Sequence, residues 1–153
     1  MEARLDYAKL APDGMRALYS LGAYLAKCGL EHPLLELVKI RASQINGCAY
    51  CIDMHTKDAR AAGETEQRIY ALNAWRETPF FTDRERAALA WTEAVTLIGG
   101  GVTEALFAEV SGEFSEKELA DLTWAVAAIN AWNRVAISFR SVPGEYQPKR
   151  PGV

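Results

Sequence analysis

The sequence predicts an all-α fold, a compact helical bundle, on three observations. Apolar residues recur at helical spacing along most of the chain. Breaks marked by glycine or proline separate those runs. Nowhere do β-branched residues alternate with polar ones as they would in a strand. At 153 residues the chain is long enough for one domain with a real core. The expected domain is 1–153, with its core at about 12–140 and an irregular C-terminal arm at 142–153.

Pro12-Asp13-Gly14 opens the first expected helix, which runs to about Cys28 with Met15, Leu18, Leu21 and Leu25 in helical register. Gly29 ends it. His32-Pro33 restarts the chain, since proline suits a first helical turn. The second helix, about Leu34 to Asn46, puts Leu34, Leu35, Val38, Ala42 and Ile45 on one stripe, and Asn46-Gly47 stops it. A third spans about Cys48 to Ala62 before Gly63. Thr65 caps a short fourth, to about Asn73. After Pro79, Thr82-Asp83-Arg84-Glu85 has the form of a capping box. It starts a fifth helix that ends at Gly99-Gly100-Gly101. Thr103 caps a sixth, about Glu104 to Val110. Ser115-Glu116-Lys117-Glu118 opens the last helix, which reaches about Ser138. That helix is apolar on nearly every face between Leu122 and Trp132. It therefore belongs at the centre of the fold or at a subunit interface, which predicts a homo-oligomer. Trp75, Trp91, Trp124 and Trp132 are read as core or interface residues, and Asn133-Arg134 as a solvated helix end.

Half of the residues are apolar and 24% are charged, as in ordinary globular proteins. A net charge of −3, with no basic run, gives no attraction to nucleic acid or to an anionic membrane. The first twelve residues carry Glu2, Arg4, Asp6 and Lys9 and no apolar core of a secretory signal. No stretch approaches the roughly 20 apolar residues of a membrane span. Three cysteines, an odd number, make no disulfide framework. A cytoplasmic location is expected, where a Cys-x-x-Cys pair is more often catalytic or metal-binding than structural.

Cys48-Ala49-Tyr50-Cys51, followed by His55, concentrates the chemistry. Offsets of three and seven residues return to nearly the same helical face, so Cys48, Cys51 and His55 share a stripe. Cysteines at i and i+3 can form a disulfide, and amides at a helix start favour a thiolate, on position alone at Cys48. Glu36, between Leu35 and Leu37, lies on the preceding helix. Its apolar setting predicts a raised pKa and a general-base role toward a thiol. Ser43 is expected either to satisfy backbone or to orient Glu36. Tyr50 either lines a pocket or packs. Zinc would need a fourth ligand, and no second Cys-x-x-Cys or His pair supplies one. Covalent haem would need a histidine next to Cys51, and a thioredoxin a βαβ frame. Cys28 is read as a packed thiol, His32 as a capping or surface residue.

Glu36, Ser43, Cys48, Cys51 and His55 form the pattern Glu-x6-Ser-x4-Cys-x2-Cys-x3-His. It resembles the core motif of the alkylhydroperoxidase D-like proteins of the carboxymuconolactone decarboxylase family. Weaker similarity continues through Ala88–Glu93 and Ile129–Arg134. The resemblance implies an alkylhydroperoxidase D-like fold and a thiol peroxidase, with no metal and no bound cofactor. Cys51 would attack the peroxide and Cys48 would resolve the sulfenic acid as a disulfide. Glu36 and His55 would serve the proton relay. An external dithiol or lipoylated protein would act as reductant. A trimer, or a hexamer of dimers, is the implied assembly. This chain departs from the best-studied branch in carrying Tyr50 where that branch has a histidine. Decarboxylase-like lyase chemistry and non-catalytic redox sensing are the alternative readings.

Overall fold

A computed structural model of the chain describes residues 1–148. Among them are eight α-helices and no strand. These are α1 (Tyr7–Leu10), α2 (Pro12–Leu25), α3 (His32–Asn46), α4 (Ala49–Ala61), α5 (Glu66–Ala71), α6 (Asp83–Thr96), α7 (Glu104–Glu113) and α8 (Glu116–Phe139). The all-α expectation holds. No helix among the described residues is long and apolar enough to cross a membrane.

Most boundaries follow local chemistry. Thr82 with Glu85, and Ser115 with Glu118, close reciprocal capping boxes at the starts of α6 and α8. Thr65 and Thr103 cap α5 and α7 by accepting from the amides of Arg68 and Leu106. Gly47 ends α3 at φ +71°, where a side chain would be strained. There the amides of Gly47 and Cys48 satisfy the carbonyls of Gln44 and Ser43.

Three elements differ from the sequence expectation. The short α1 is additional; Asp6 caps it by accepting from the Lys9 amide. The first long helix ends at Leu25, short of Cys28, and the chain turns through Gly29 at φ +105°. The fourth expected helix ends at Ala71 and tightens into a 3-10 segment over Leu72–Glu77.

Helix α3 packs against α4, α6 and α8, and α8 in turn against α2, α3, α4, α6 and α7. The expected single stripe on α3 is corrected by this central position. Leu34, Leu35 and Val38 enter a core with Trp91, Leu122 and Val126. Leu37 and Ile40 enter another with Leu72, Trp75 and Leu89. Burying each of these side chains contributes roughly 1.5–3 kcal/mol. A third, smaller core holds Cys48, Cys51, Ala42, Ile129 and Ala136, where α4 meets α3 and α8. On α8, Trp124 and Ile137 stay 56% and 44% exposed, so its apolar circumference is incompletely covered by its own chain.

Both ends of the described chain are tied down. The Arg4 amide and Nη1 donate to the carbonyls of Phe139 and Ser138 at 2.9 and 2.8 Å. Beyond α8 the described residues 141–148 are irregular and lie along α4. Lys57 Nζ donates to the carbonyls of Gly144 and Tyr146 at 3.1 and 3.0 Å, and the Gly144 amide donates to Asp53 Oδ2 at 3.0 Å. The last five positions of the expected arm, 149–153, fall outside the described residues.

Candidate active site

The helix break at Gly47 sets the cysteine pair. Cys48 is the N-cap of α4, and its Sγ accepts from the Cys51 amide at 3.3 Å. Cys48 and Cys51 are joined as a disulfide with Cα atoms 5.4 Å apart, within the range such bonds span. Both are buried, as is His55, one turn further along the same helix face. The shared stripe expected from the spacing is present.

Of the two cysteines, Cys51 lines a cavity at this site. A cavity of about 300 Å³ opens between α2, α3, α4 and α8, and Cys51 and His55 line it while Cys48 does not. Met15, Leu18, Leu25 and Leu35 make much of its wall apolar. The Tyr19 and Trp132 rings, 5.3 Å apart, close one side. Tyr50 lines the cavity too, together with Tyr7. Burial, and then the neighbouring tyrosines and Asp53, push the Tyr50 phenol up, so it stays protonated and able to donate.

Glu36 departs from its expected electrostatics. It is only 3% exposed, and burial alone would raise its pKa, as the sequence reading supposes. Two partners overcome burial. His55 Nδ1 lies 2.9 Å from Oε2, and Lys39 Nζ donates to Oε1 at 2.8 Å. Together they hold the carboxyl at about 2. Glu36 is therefore an ionised acceptor, not a base with a raised pKa. Because a carboxylate can only accept, a hydrogen lies on His55 Nδ1, and Nε2 is the ring nitrogen left to exchange a proton. The arrangement orients the imidazole and leaves it, rather than Glu36, as the group able to take a thiol proton.

Ser43 does not touch Glu36. Fully buried, it accepts from Asn133 Nδ2 at 3.0 Å. Asn133 in turn accepts from Asn46 Nδ2 at 2.8 Å, and Asn46 also donates to Asn130. The expectation of a solvated end at Asn133 is overturned, because its side chain fastens α8 to the α3 corner that precedes Cys48. Arg134, beside it, is exposed and bonds back to Asn130. Cys28 is partly buried against the first core, and His32 is an exposed residue with its Nε2 3.7 Å from Glu36 Oε1.

The sequence reading passed over Lys39 and Asp58. Lys39 stands at i+3 from Glu36, and that spacing was an available signal. Asp58 stands at i+3 from His55, and ligand-capable atoms of Glu36, His55 and Asp58 lie within 4.8 Å of one another. Lys39 already donates to Glu36, and Tyr146 to Asp58 at 2.7 Å. Hydrogen-bond donors thus occupy acceptor positions that a cation would otherwise take.

Comparison with known proteins agrees with this geometry. The carboxymuconolactone decarboxylase family matches residues 12–94. The uncharacterized protein YdfG of Bacillus subtilis is 44% identical over 139 residues, covering 90% of this chain and 95% of YdfG. The crystal structure of ATU0492 from Agrobacterium tumefaciens superposes with a TM-score of 0.91 at 43% identity, over 95% of this chain and all of that one. ATU0492 is described as a protein of unknown function and a candidate antioxidant defence protein AhpD. A peroxidase-related protein from Ralstonia eutropha with an alkylhydroperoxidase AhpD core shares the fold, at a TM-score of 0.80 and 23% identity, over 90% of this chain and 74% of its own. With its helical frame, its cysteine pair and these relatives in agreement, the chain belongs to the carboxymuconolactone decarboxylase family and carries the alkylhydroperoxidase D-like fold.

Proposed function

We propose that the protein is a thiol peroxidase that reduces organic or hydrogen peroxides through the Cys48–Cys51 pair. One observation carries the reading. Cys51 faces the cavity beside an imidazole held by an ionised carboxylate, while Cys48 sits behind it, within disulfide reach.

The reaction begins with the pair reduced. His55 Nε2 takes the proton of the Cys51 thiol, and the thiolate attacks the terminal peroxide oxygen. The S–O bond forms as the O–O bond breaks. The departing alkoxide receives a proton from the imidazolium and leaves as an alcohol, with Cys51 as its sulfenic acid. The Cys48 thiol then attacks the Cys51 sulfur. A disulfide forms, and the sulfenic oxygen leaves as water. An external dithiol, free or on a lipoylated protein, returns the two electrons. One peroxide and one dithiol are consumed, and one alcohol, one water and one disulfide are made.

Placement supports Cys51 as the attacking thiol, as the family resemblance has it, over the more N-terminal Cys48. We further read the protein as a cytoplasmic homo-oligomer of trimeric or hexameric order, working without a bound cofactor and without nucleic-acid or membrane partners. The exposed Trp124 and Ile137 on α8 supply apolar surface for such contacts. The test is steady-state consumption of an organic hydroperoxide with a dithiol reductant, alongside the mass of the protein after one equivalent of peroxide. Turnover with a Cys48–Cys51 disulfide as the oxidised product is expected. No turnover at any dithiol concentration would refute the reading.

A further inference from the structure

The C-terminal arm reaches the site through contacts that the cysteine chemistry does not itself use. Asp53 and Lys57 hold its main chain at Gly144 and Tyr146. Gly144 turns at φ +107°, a conformation that L side chains rarely adopt. This turn precedes Tyr146, whose hydroxyl donates to Asp58 Oδ1 at 2.7 Å. Asp58 is the second carboxylate within 4.8 Å of His55.

The structure assigns Tyr146 as a positioning residue for His55, acting through Asp58. Asp58 and Glu36 are both placed to compete for the imidazole N–H. If Asp58 captured it, the ring would turn from Glu36 and the imidazole would lose its orientation beside Cys51. The Tyr146 hydroxyl occupies Asp58 Oδ1 and removes that competition. Burial first, and then the bond to Asp58, push the Tyr146 phenol well up, so it remains a donor through the neutral range. The titratable groups facing the imidazole come from several elements. They are Glu36, Lys39 and His32 from α3, Asp58, Cys51 and Tyr50 from α4, Tyr146 from the arm, and Tyr7 and Tyr19 across the cavity.

The kinetic consequence rests on the peroxidase reading, but the positioning role has a readout independent of peroxide. In reduced Cys48→Ser protein, alkylation of Cys51 by iodoacetamide, followed by peptide mass across pH, measures how readily the thiolate forms. Tyr146→Phe, made in that background, should move the alkylation curve to higher pH. In the protein with both cysteines, Tyr146→Phe should slow peroxide consumption roughly tenfold, below the 10²–10⁴ typical for loss of a general base itself. With Asp58→Asn already present, Tyr146→Phe should shift the curve no further. A Tyr146→Phe curve that overlays its parent's, whatever happens to thermal stability, overturns the assignment. A shifted curve in a protein that consumes no peroxide would overturn the peroxidase reading and leave the positioning role standing. Should Tyr146→Phe fail to fold, Tyr146→Leu, which also removes the hydroxyl, replaces it. That variant must shift the curve to higher pH, and an unshifted one overturns the assignment.

Discussion

His55 Nδ1 lies 2.9 Å from Glu36 Oε2, joining α4 to α3 across 19 residues of chain. This contact puts a hydrogen on Nδ1 and leaves Nε2 as the ring nitrogen able to exchange a proton.

Replacing the carboxylate should therefore damage chemistry more than structure. Glu36→Gln keeps the shape but removes the charge that selects the ring's tautomer. The expected loss in the rate of sulfenic acid formation is about 10²–10⁴-fold, in the range seen when a general base is lost or wrongly oriented. Stopped-flow mixing with peroxide measures it, and an unchanged rate would make Glu36 purely structural.

The same carboxylate predicts an acid dependence of stability. Its folded pKa, about 2, lies below the ordinary value of 4.5. A depressed carboxyl stabilises the fold above the ordinary value and loses that contribution as pH falls toward the depressed one. The difference corresponds to about 3 kcal/mol, shed between about pH 4.5 and 2. Urea unfolding at stepped pH should show this slope in the wild type and a flatter one in Glu36→Gln.

The two cysteines should fail differently. Cys51→Ser should abolish the burst of peroxide consumption, because neither remaining thiol, Cys48 or Cys28, lines the cavity. Cys48→Ser should consume one equivalent and stop at sulfenic acid, visible by intact mass as one added oxygen. A burst kept by Cys51→Ser and lost by Cys48→Ser would reverse the assigned roles.

Asn133→Ala tests the polar knot behind the pair. Asn133 is fully buried between Ser43 and Asn46. Its removal strands their polar groups and leaves a void, at a cost of about 2–4 kcal/mol. Chemical denaturation would report the loss, and a change under about 0.5 kcal/mol, as for ordinary surface substitutions, would mean that the knot contributes little.

Assembly can be tested at Trp124, which is 56% exposed on α8. Light scattering of the wild type should give a multiple of 16.9 kDa. Trp124→Glu should lower that mass while leaving the helical circular dichroism in place. A wild-type mass equal to one chain would exclude the homo-oligomer.

The helix starts were legible because their signals are local. Thr82 with Glu85, and Ser115 with Glu118, need only four consecutive residues to close a capping box. The placement of Cys48, Cys51 and His55 on one face was legible for the same reason, since helical geometry alone decides it. The direction of the Glu36 shift was not, because its apolar neighbours in sequence are not its neighbours in space. The decisive partner, His55, comes from another helix. Asn133 was misread for a similar reason, its partners Ser43 and Asn46 lying 90 and 87 residues away. Helix α1 has four residues, and its Tyr7 stacks on Phe139 at the end of α8, a contact that no local pattern encodes.

On the peroxidase reading, the N-cap position of Cys48 bears on how the Cys51 sulfenic acid would escape further oxidation. A sulfenic acid that meets a second peroxide becomes a sulfinic acid, a form that thiols do not reverse. Here the competing thiol is three residues away, with the Cα atoms 5.4 Å apart and the Cys48 sulfur against the Cys51 amide. Well-oriented intramolecular partners reach effective concentrations of about 10⁵–10⁸ M, far above any concentration of peroxide. On the proposed peroxidase cycle, ring closure would therefore outrun overoxidation, and the pair would keep turning over through an oxidant surge that would poison a lone cysteine.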